Sequence, residues 1–546
     1  MKKVEAPLYD TLENAMQRNH HLWEYVRGFE AVGKRPAFIT SLDRGLTEEP
    51  QPNFIYPLGD PLFIHIYKTR EGKLIYQVIE PKFADNNQEL RYNVISDKLL
   101  ELSAKEKVPE TERDTIRLIN KLFVKCTRVV GRRRVKGTKY FKKFVPITTD
   151  EKELFKYFLK RDIIGLGRIM SPMRDPNLED VTGLGPRNIT VYHKLFGLMH
   201  TNVEFKGAID YLKFVLTLSD KVGKTVSERT PIVDGTLPDG SRLNLVYSPD
   251  ISLKGPSFCI RKFAETPISL TQIIQWGTFS SEIVAYLWLC IEYGKNIFFT
   301  GESASGKTTT LNSLLPLIPT NAKVFTAEDT AEVLVPHKVW QRMLTREREG
   351  GGSVTLFDIL KAALRSRPNY LIVGEIRGAE GAIAFQTMQA GTPVMSTFHC
   401  ASVRQLVQRI SGTPINVPIA FVDNLNIVLT QQAIYGKGTI LRRCLGVDEI
   451  VGYDRNQKGI ITRRAFDWDS ARDKFTFRAY HNSYILEAKV APSAGLEDPR
   501  EVYEQMDLRT RIIEEMVARK IFNYYEINEV LKKFYKCKQE GAPFTF

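Results

Sequence analysis

The amino-acid sequence predicts an α/β protein: a core with a parallel sheet in the second half of the chain, preceded by an α+β domain. Three observations carry this. The stretch Asn296-Ile-Phe-Phe-Thr-Gly-Glu-Ser-Ala-Ser-Gly-Lys-Thr-Thr-Thr delivers a short apolar run straight into a G-x-x-x-x-G-K-T loop, the strand–loop–helix setting in which that motif cradles phosphates. Apolar runs of strand length at 297–299, 324–326, 370–373, 394–397 and 427–429 alternate with helical patterns at 308–317, 356–366, 379–390 and 402–410, the order of βαβ units. Before residue 264, strand-like runs at 189–192, 202–205 and 243–247 surround a helical stretch at 209–222, which reads as α+β.

Taken in chain order, residues 1–145 form a region of helices and short strands, with runs at 62–67 and 74–78 and a polar helical stretch at 97–107. No catalytic signal stands out there. The region ends in a basic run, 125–143, with Arg132-Arg-Arg and Lys142-Lys interleaved with Tyr140 and Phe141. A solvated face and a contact with acidic lipid or protein both fit it. Thr148 and Glu151 have capping-box spacing ahead of a helix at 150–159, which opens the α+β domain, 146–263, with a turn at Pro238-Asp-Gly-Ser. The aperiodic stretch 264–269, containing Pro267, reads as a linker. The core follows over 270–455. An extension, 456–546, has aromatic strands near 475–480 and amphipathic helices at 505–519 and 526–535.

Composition bounds the partners. The 546 residues allow roughly three or four domains at about 150 residues each, and 43% apolar content supplies real cores. A net charge of +14 suggests an acidic partner or an anionic membrane surface. The six cysteines are scattered with no C-x-x-C pair, as in a reducing cytoplasm rather than a disulfide framework or zinc ribbon. Residues 1–16 lack the apolar core of a signal peptide, and the densest apolar stretch, 283–291, meets Glu292 too soon to span a bilayer.

The candidate site grows from the loop. Gly301 and Gly306 let the backbone come close to phosphates, and the N–H groups from Glu302, Ser303, Ala304 and Ser305 through Thr309 form an anion nest. Lys307 can reach the β- and γ-phosphates and Thr308 can ligate Mg²⁺. Phosphoryl transfer to water also needs a water-orienting group and charge compensation. Glu328 and Asp329 end one apolar strand and Glu375 ends another, where an open sheet places its ligand crevice; Glu375 can hold the magnesium shell or cap a helix. His399, with Thr397 alongside, either packs against its strand or senses the γ-phosphate. Arg242 and Arg261 precede the linker, whereas Arg342, Arg346 and Arg348 lie inside the core; an arginine brought from another domain or subunit can accelerate transfer, and surface ion pairing is the plainer role.

These stretches resemble the secretion and type IV pilus superfamily of hexameric ATPases, with its RecA-like P-loop core. The Walker A loop stands at 301–308, the aspartate box at 326–332, the Walker B box at 371–375 and the histidine box at 391–399. Tyr56-Pro-Leu-Gly-Asp, Ile64-His-Ile, Ile79-Glu-Pro, Arg161-Asp-Ile-Ile-Gly-Leu-Gly-Arg, Asp175-Pro-Asn-Leu-Glu-Asp, Leu237-Pro-Asp-Gly-Ser-Arg and Ile260-Arg-Lys-Phe are similar to the archaeal branch, in particular the archaellum motor and assembly ATPase. The resemblance implies a homo-hexamer that hydrolyses ATP with Mg²⁺ at the cytoplasmic face of the membrane. A polytopic membrane platform protein is its implied partner, anionic lipid an optional one, and nucleic acid is not expected. It also implies Glu328 as the catalytic carboxylate, Glu375 in the Walker B position, and Arg242 and Arg261 approaching the phosphates. The histidine box opens here with Gly391-Thr392 in place of Gly-His, and the tetracysteine zinc module of type II secretion relatives is missing.

Overall fold

Five residues in a row, Ile297–Gly301, are buried at every position, as a central parallel strand covered on both faces must be. The computed structural model containing this strand describes residues 11–30, 35–40, 42, 46, 49–131, 144–247, 250–263, 266–346, 352–436 and 439–546. The chain divides into two units, Met1–Phe263 and Ala264–Phe546. Residues 264–265, Arg348 and the basic run from 132 to 143 lie outside the described residues.

The second unit is built on a nine-stranded sheet in the order Trp340–Leu344, Val324–Glu328, Tyr370–Glu375, Val394–Phe398, Ile297–Gly301, Ile427–Gly436, Thr439–Asp454, Gly459–Asp469, Lys474–Phe477. The first six run parallel, and the last three return antiparallel. Helices Lys307–Leu314, Leu356–Ser366, Glu380–Gln389 and Val403–Ser411 connect the parallel strands. Their starts follow from local chemistry: Thr355 and Asp358 close a capping box, and the Ser402 side chain accepts the Gln405 N–H. The apolar stretch at 283–291 is buried at every position within the helix Ser281–Glu292, inside the main core. Arg509 pairs with Glu292 at 2.6 Å and stacks over Trp288 and Phe534, pinning the helix Glu501–Ala518 to that core. No described helix is long and apolar enough to cross a membrane.

The first unit is a ten-stranded mixed sheet whose order is Ala37–Phe38, Asn53–Gly59, Leu62–Lys68, Leu74–Ile79, Gly197–Thr201, Ile189–His193, Leu178–Gly183, Ser257–Arg261, Arg242–Val246, Ile232–Thr236. Leu74–Ile79 pairs with Gly197–Thr201, so one sheet runs across the boundary drawn at 145/146. The helix Thr149–Leu159 carries the expected capping box.

Several elements differ from the sequence reading: the strands Thr439–Asp454 and Gly459–Asp469 are not among the expected runs, and they carry the core sheet across the boundary drawn at 455/456. Residues 202–205 are not a strand: the Asn202 side chain hydrogen-bonds Val78 through both its N–H and C=O and ends the pairing at Thr201. The polar helix starts earlier, at Asn86, because Asp85 accepts the Gln88 N–H as its N-cap. Trp340–Leu344 is an unforeseen edge strand whose half-exposed residues lack clean alternation.

Candidate active site

Gly301 ends the central strand and begins the loop. A Cβ there would lie 2.3 Å from the Gln431 carbonyl and 2.6 Å from Ser305 Oγ, on a backbone with φ +150°, so the loop can leave the sheet this tightly only at glycine. Ala304 adopts φ +61°, a left-handed turn within the nest. Glu302, Ser303 and Ala304 are exposed, Thr308 and Thr309 half-buried, and Ser305 and Lys307 buried. The Ser305 hydroxyl and Gln431 Oε1 are buried without a hydrogen-bond partner among the described residues. Such atoms ordinarily find partners; the Ser305 O–H and the N–H groups of the nest suit an oxyanion, whereas Gln431 Oε1, an acceptor, calls for a donor.

Lys307 folds back under the loop, its Nζ donating to the carbonyls of Gly301 at 3.0 Å and Glu302 at 2.7 Å. The third neighbour is His399 Nδ1, 3.3 Å away. An ammonium has only donors, so this contact assigns the lone pair to Nδ1 and the proton to Nε2. Nε2 in turn lies 2.9 Å from Glu375 Oε1, and the other Glu375 oxygen accepts from Arg377 at 2.5 Å. Burial lowers the pKa of His399, and the Lys307 charge adds to this. Burial likewise lowers that of Lys307, against the pull of Glu375. The result is a row of close cation–imidazole–carboxylate contacts across the ends of three adjacent parallel strands, hydrogen-bonded between Lys307 and His399 and, between His399 and Glu375 Oε1, close in distance but off the hydrogen-bond axis.

Local irregularity aims Glu375. The register between Tyr370–Glu375 and Val394–Phe398 shifts at Val373/Glu375, a bulge of the kind that redirects a side chain, and Thr397 Oγ1 fastens it by donating to the Gly374 carbonyl at 2.7 Å. The bulge glycine faces Glu328, whose Cγ lies 3.3 Å from where a Cβ at Gly374 would sit. Glu328, only 2% exposed, accepts the N–H groups of Glu332 at 2.8 Å and Val333 at 2.6 Å through Oε1. Its Oε2 lies 3.5 Å from Arg342 Nε. Burial is the largest influence and raises its pKa to about 7, although the two N–H groups and Arg342 pull the other way. Asp329, read beside it as an equal candidate, is exposed; successive residues at a strand end face opposite ways.

The loop after Glu328 is held to the phosphate-loop helix by Asn312, whose amide donates to the Glu332 carbonyl and accepts the Leu334 N–H, both at 2.9 Å. Gln431 ties the next strand to the same helix through Thr310 Oγ1 at 2.8 Å. Neither residue was singled out from the sequence. Gln431 follows the apolar run 427–429 at the crevice end of its strand, which is the signal that could have found it. Arg346 serves its own loop, donating to the Gly352 carbonyl.

Arg242 and Arg261 belong to the first unit, where they stand directly opposite each other on adjacent antiparallel strands. Arg261 lies 3.3 Å from Asp180, its neighbour on the other side. Among the described residues no group of three or more His, Cys, Asp or Glu could hold a metal. The hard oxygens near the loop are the half-buried Thr308 hydroxyl and the Glu375 carboxylate, 18% exposed. That donor set suits magnesium, which shares its coordination between one or two protein oxygens and a nucleotide's phosphates.

Residues 211–440 match a family model described as "Type II/IV secretion system protein". The chain is 50% identical to the uncharacterized protein MJ0900 of Methanocaldococcus jannaschii over 542 residues, 98% of each chain. It is 26% identical to the type IV secretion system protein VirB11 of Bartonella quintana over 32% of this chain and 60% of that protein. The X-ray structure of the Legionella pneumophila ATPase DotB aligns at a TM-score of 0.36 and 16% identity, covering 66% of this chain and 92% of that one. With a relative matched along almost its whole length and the family model spanning the phosphate loop, this chain belongs to the type II/IV secretion system protein family, within the secretion and type IV pilus superfamily of ATPases.

Proposed function

We propose that the second unit hydrolyses ATP with Mg²⁺, as one subunit of a hexameric ring that powers assembly or rotation of an archaellum at the cytoplasmic face of the membrane. The observation that carries the chemistry is the bridge from Lys307 through His399 to Glu375, with Glu328 buried one strand over. Residues 301–309 bind the phosphates, and Lys307 compensates charge at their transferable end. Thr308 and Glu375 hold magnesium, which when bound neutralises charge on the β- and γ-phosphates. Glu328, with a pKa near 7, is suited to take the proton of an attacking water at neutral pH. His399 couples the loop to Glu375, so occupancy of the nest is felt at the carboxylate.

Arg242 and Arg261 complete the site from a first unit, that of a neighbouring subunit in the ring. The net charge of +14 favours anionic lipid around a membrane platform partner. The archaellum reading rests on the motif likeness across the first unit. Assembly of an adhesive pilus or a secretion filament is the neighbouring reading, supported by the 26% identity to a type IV secretion system protein.

The test is ring formation measured by light scattering, with turnover followed in the presence of anionic vesicles or single-stranded DNA. Hexamers formed on adding ATP and stimulated by vesicles support a membrane-docked motor. Stimulation by DNA alone would replace it with a nucleic-acid translocase.

A further inference from the structure

Arg442 comes from the strand Thr439–Asp454 and reaches the phosphate loop from the side away from Glu375 and His399. Its Nε donates to the Ala304 carbonyl at 3.0 Å, and its Cδ lies 3.2 Å from where a Cβ on Gly306 would be. The neighbouring Arg443 points to the opposite face, as alternation requires. There it is fixed by two 2.7 Å hydrogen bonds to Asp473 and one of 3.0 Å to the Trp276 carbonyl. Arg442 has no carboxylate partner among the described residues, and one of its five N–H donors is engaged. A half-buried guanidinium beside an anion nest, without a counter-charge among the described residues, is suited to a planar or charged ligand group.

We propose that Arg442 is a nucleotide-anchoring residue that contacts the non-transferred part of a bound nucleoside di- or triphosphate. The inference rests on the nucleotide site proposed above. Sheet order selects which end of the ligand it meets: the Ile297–Gly301 strand separates the Glu375 and His399 strands on one side from the Gln431 and Arg442 strands on the other. The carboxylates and Lys307 serve the transferable phosphate, so Arg442 faces the α-phosphate end, which ATP and ADP share. A second effect accompanies the first. Ala304 holds a left-handed backbone that is unfavourable for an L-residue, and the Arg442 bond to its carbonyl helps retain it.

The test is ATP and ADP binding, measured by calorimetry with Mg²⁺, for the unsubstituted chain, Arg442→Ala, Arg442→Lys, Lys307→Ala and the pair Ala304→Gly with Arg442→Ala. Loss of a charge-assisted contact should weaken both nucleotides about tenfold or more in Arg442→Ala, with the ATP-to-ADP ratio kept within about twofold and partial recovery in Arg442→Lys, which also serves if the alanine variant misfolds. If Arg442 acts only by holding Ala304, glycine at 304 will restore binding, and the proposed contact is wrong. Weakening of ATP alone moves Arg442 to the γ side and also overturns it. Normal binding by Arg442→Ala while Lys307→Ala has lost it overturns this proposal and leaves the site standing; an unsubstituted chain that binds neither nucleotide removes both.

Discussion

Glu328→Gln separates what burial of this carboxylate costs the fold from what it gives the chemistry. The Glu328 pKa rises from 4.5 to about 7 on folding, so the native state holds this proton more tightly than the unfolded chain. The associated stability is present in full below pH 4.5 and is lost as pH rises through 7. The shift, 7 minus 4.5, corresponds to about 3 kcal/mol at about 1.4 kcal/mol per unit, and at 2% exposure little solvent screening reduces it. Glutamine keeps an oxygen to accept the Glu332 and Val333 N–H groups but does not titrate. Arg342, 3.5 Å from Glu328, loses its counter-charge in the variant, yet arginine stays charged throughout this range, so that loss adds a constant and no slope. The variant should therefore gain stability relative to the unsubstituted chain by about 2–3 kcal/mol between pH 5 and pH 8. Urea unfolding followed by tryptophan fluorescence measures this, since four of the chain's five tryptophans, Trp276, Trp288, Trp340 and Trp468, lie in the second unit. Turnover should fall at least about 10²-fold. A stability difference that stays flat with pH, or a variant that keeps its turnover, would refute the assignment of Glu328 as a buried base.

Lys307→Ala should abolish hydrolysis and weaken ATP binding, because the β/γ charge loses its partner; unchanged turnover contradicts the placement of the site. Gly374→Ala puts a Cβ 3.3 Å from Glu328 Cγ and should lower turnover while ADP binding, made by the loop, persists in titration calorimetry. Arg242→Ala should reduce turnover of the assembled ring and leave nucleotide affinity of the monomer nearly intact; equal losses in both would remove its role in trans. Burial depresses His65 and His193 from 6.5 to about 4. Stability of the first unit should then be full above pH 6.5 and fall as pH drops toward 4, and circular dichroism should show a shallower acid transition in His65→Gln.

Parallel strands that are buried on both faces announce themselves as continuous apolar runs, which is why the starts of Ile297–Gly301, Val324–Glu328, Tyr370–Glu375, Val394–Phe398 and Ile427–Gly436 could be read from the sequence, while their ends, above all the last seven residues of Ile427–Gly436, could not. Trp340–Leu344 could not, because an edge strand owes its existence to backbone pairing with Val324–Glu328 more than to its own side chains. The same difference governs the site. The loop and the strand-end carboxylates are local patterns. The Lys307–His399–Glu375 bridge joins residues 92 apart and depends on strand order and on a bulge at Gly374, neither of which leaves a mark in one sequence. Asp329 and Glu328 are adjacent and chemically alike, and only the fold decides which of them is buried. Arg442 was passed over because nothing in Leu441-Arg-Arg-Cys shows which arginine faces the loop.

The most direct test is steady-state ATP hydrolysis by the purified chain, with Mg²⁺ or with EDTA, beside Lys307→Ala and Glu328→Gln. The account predicts Mg²⁺-dependent turnover that Lys307→Ala abolishes and Glu328→Gln lowers at least about 10²-fold, with nucleotide still bound by Glu328→Gln. Turnover that survives Lys307→Ala or is kept by Glu328→Gln, or nucleotide binding without any hydrolysis in the unsubstituted chain under conditions where it forms rings, would contradict it.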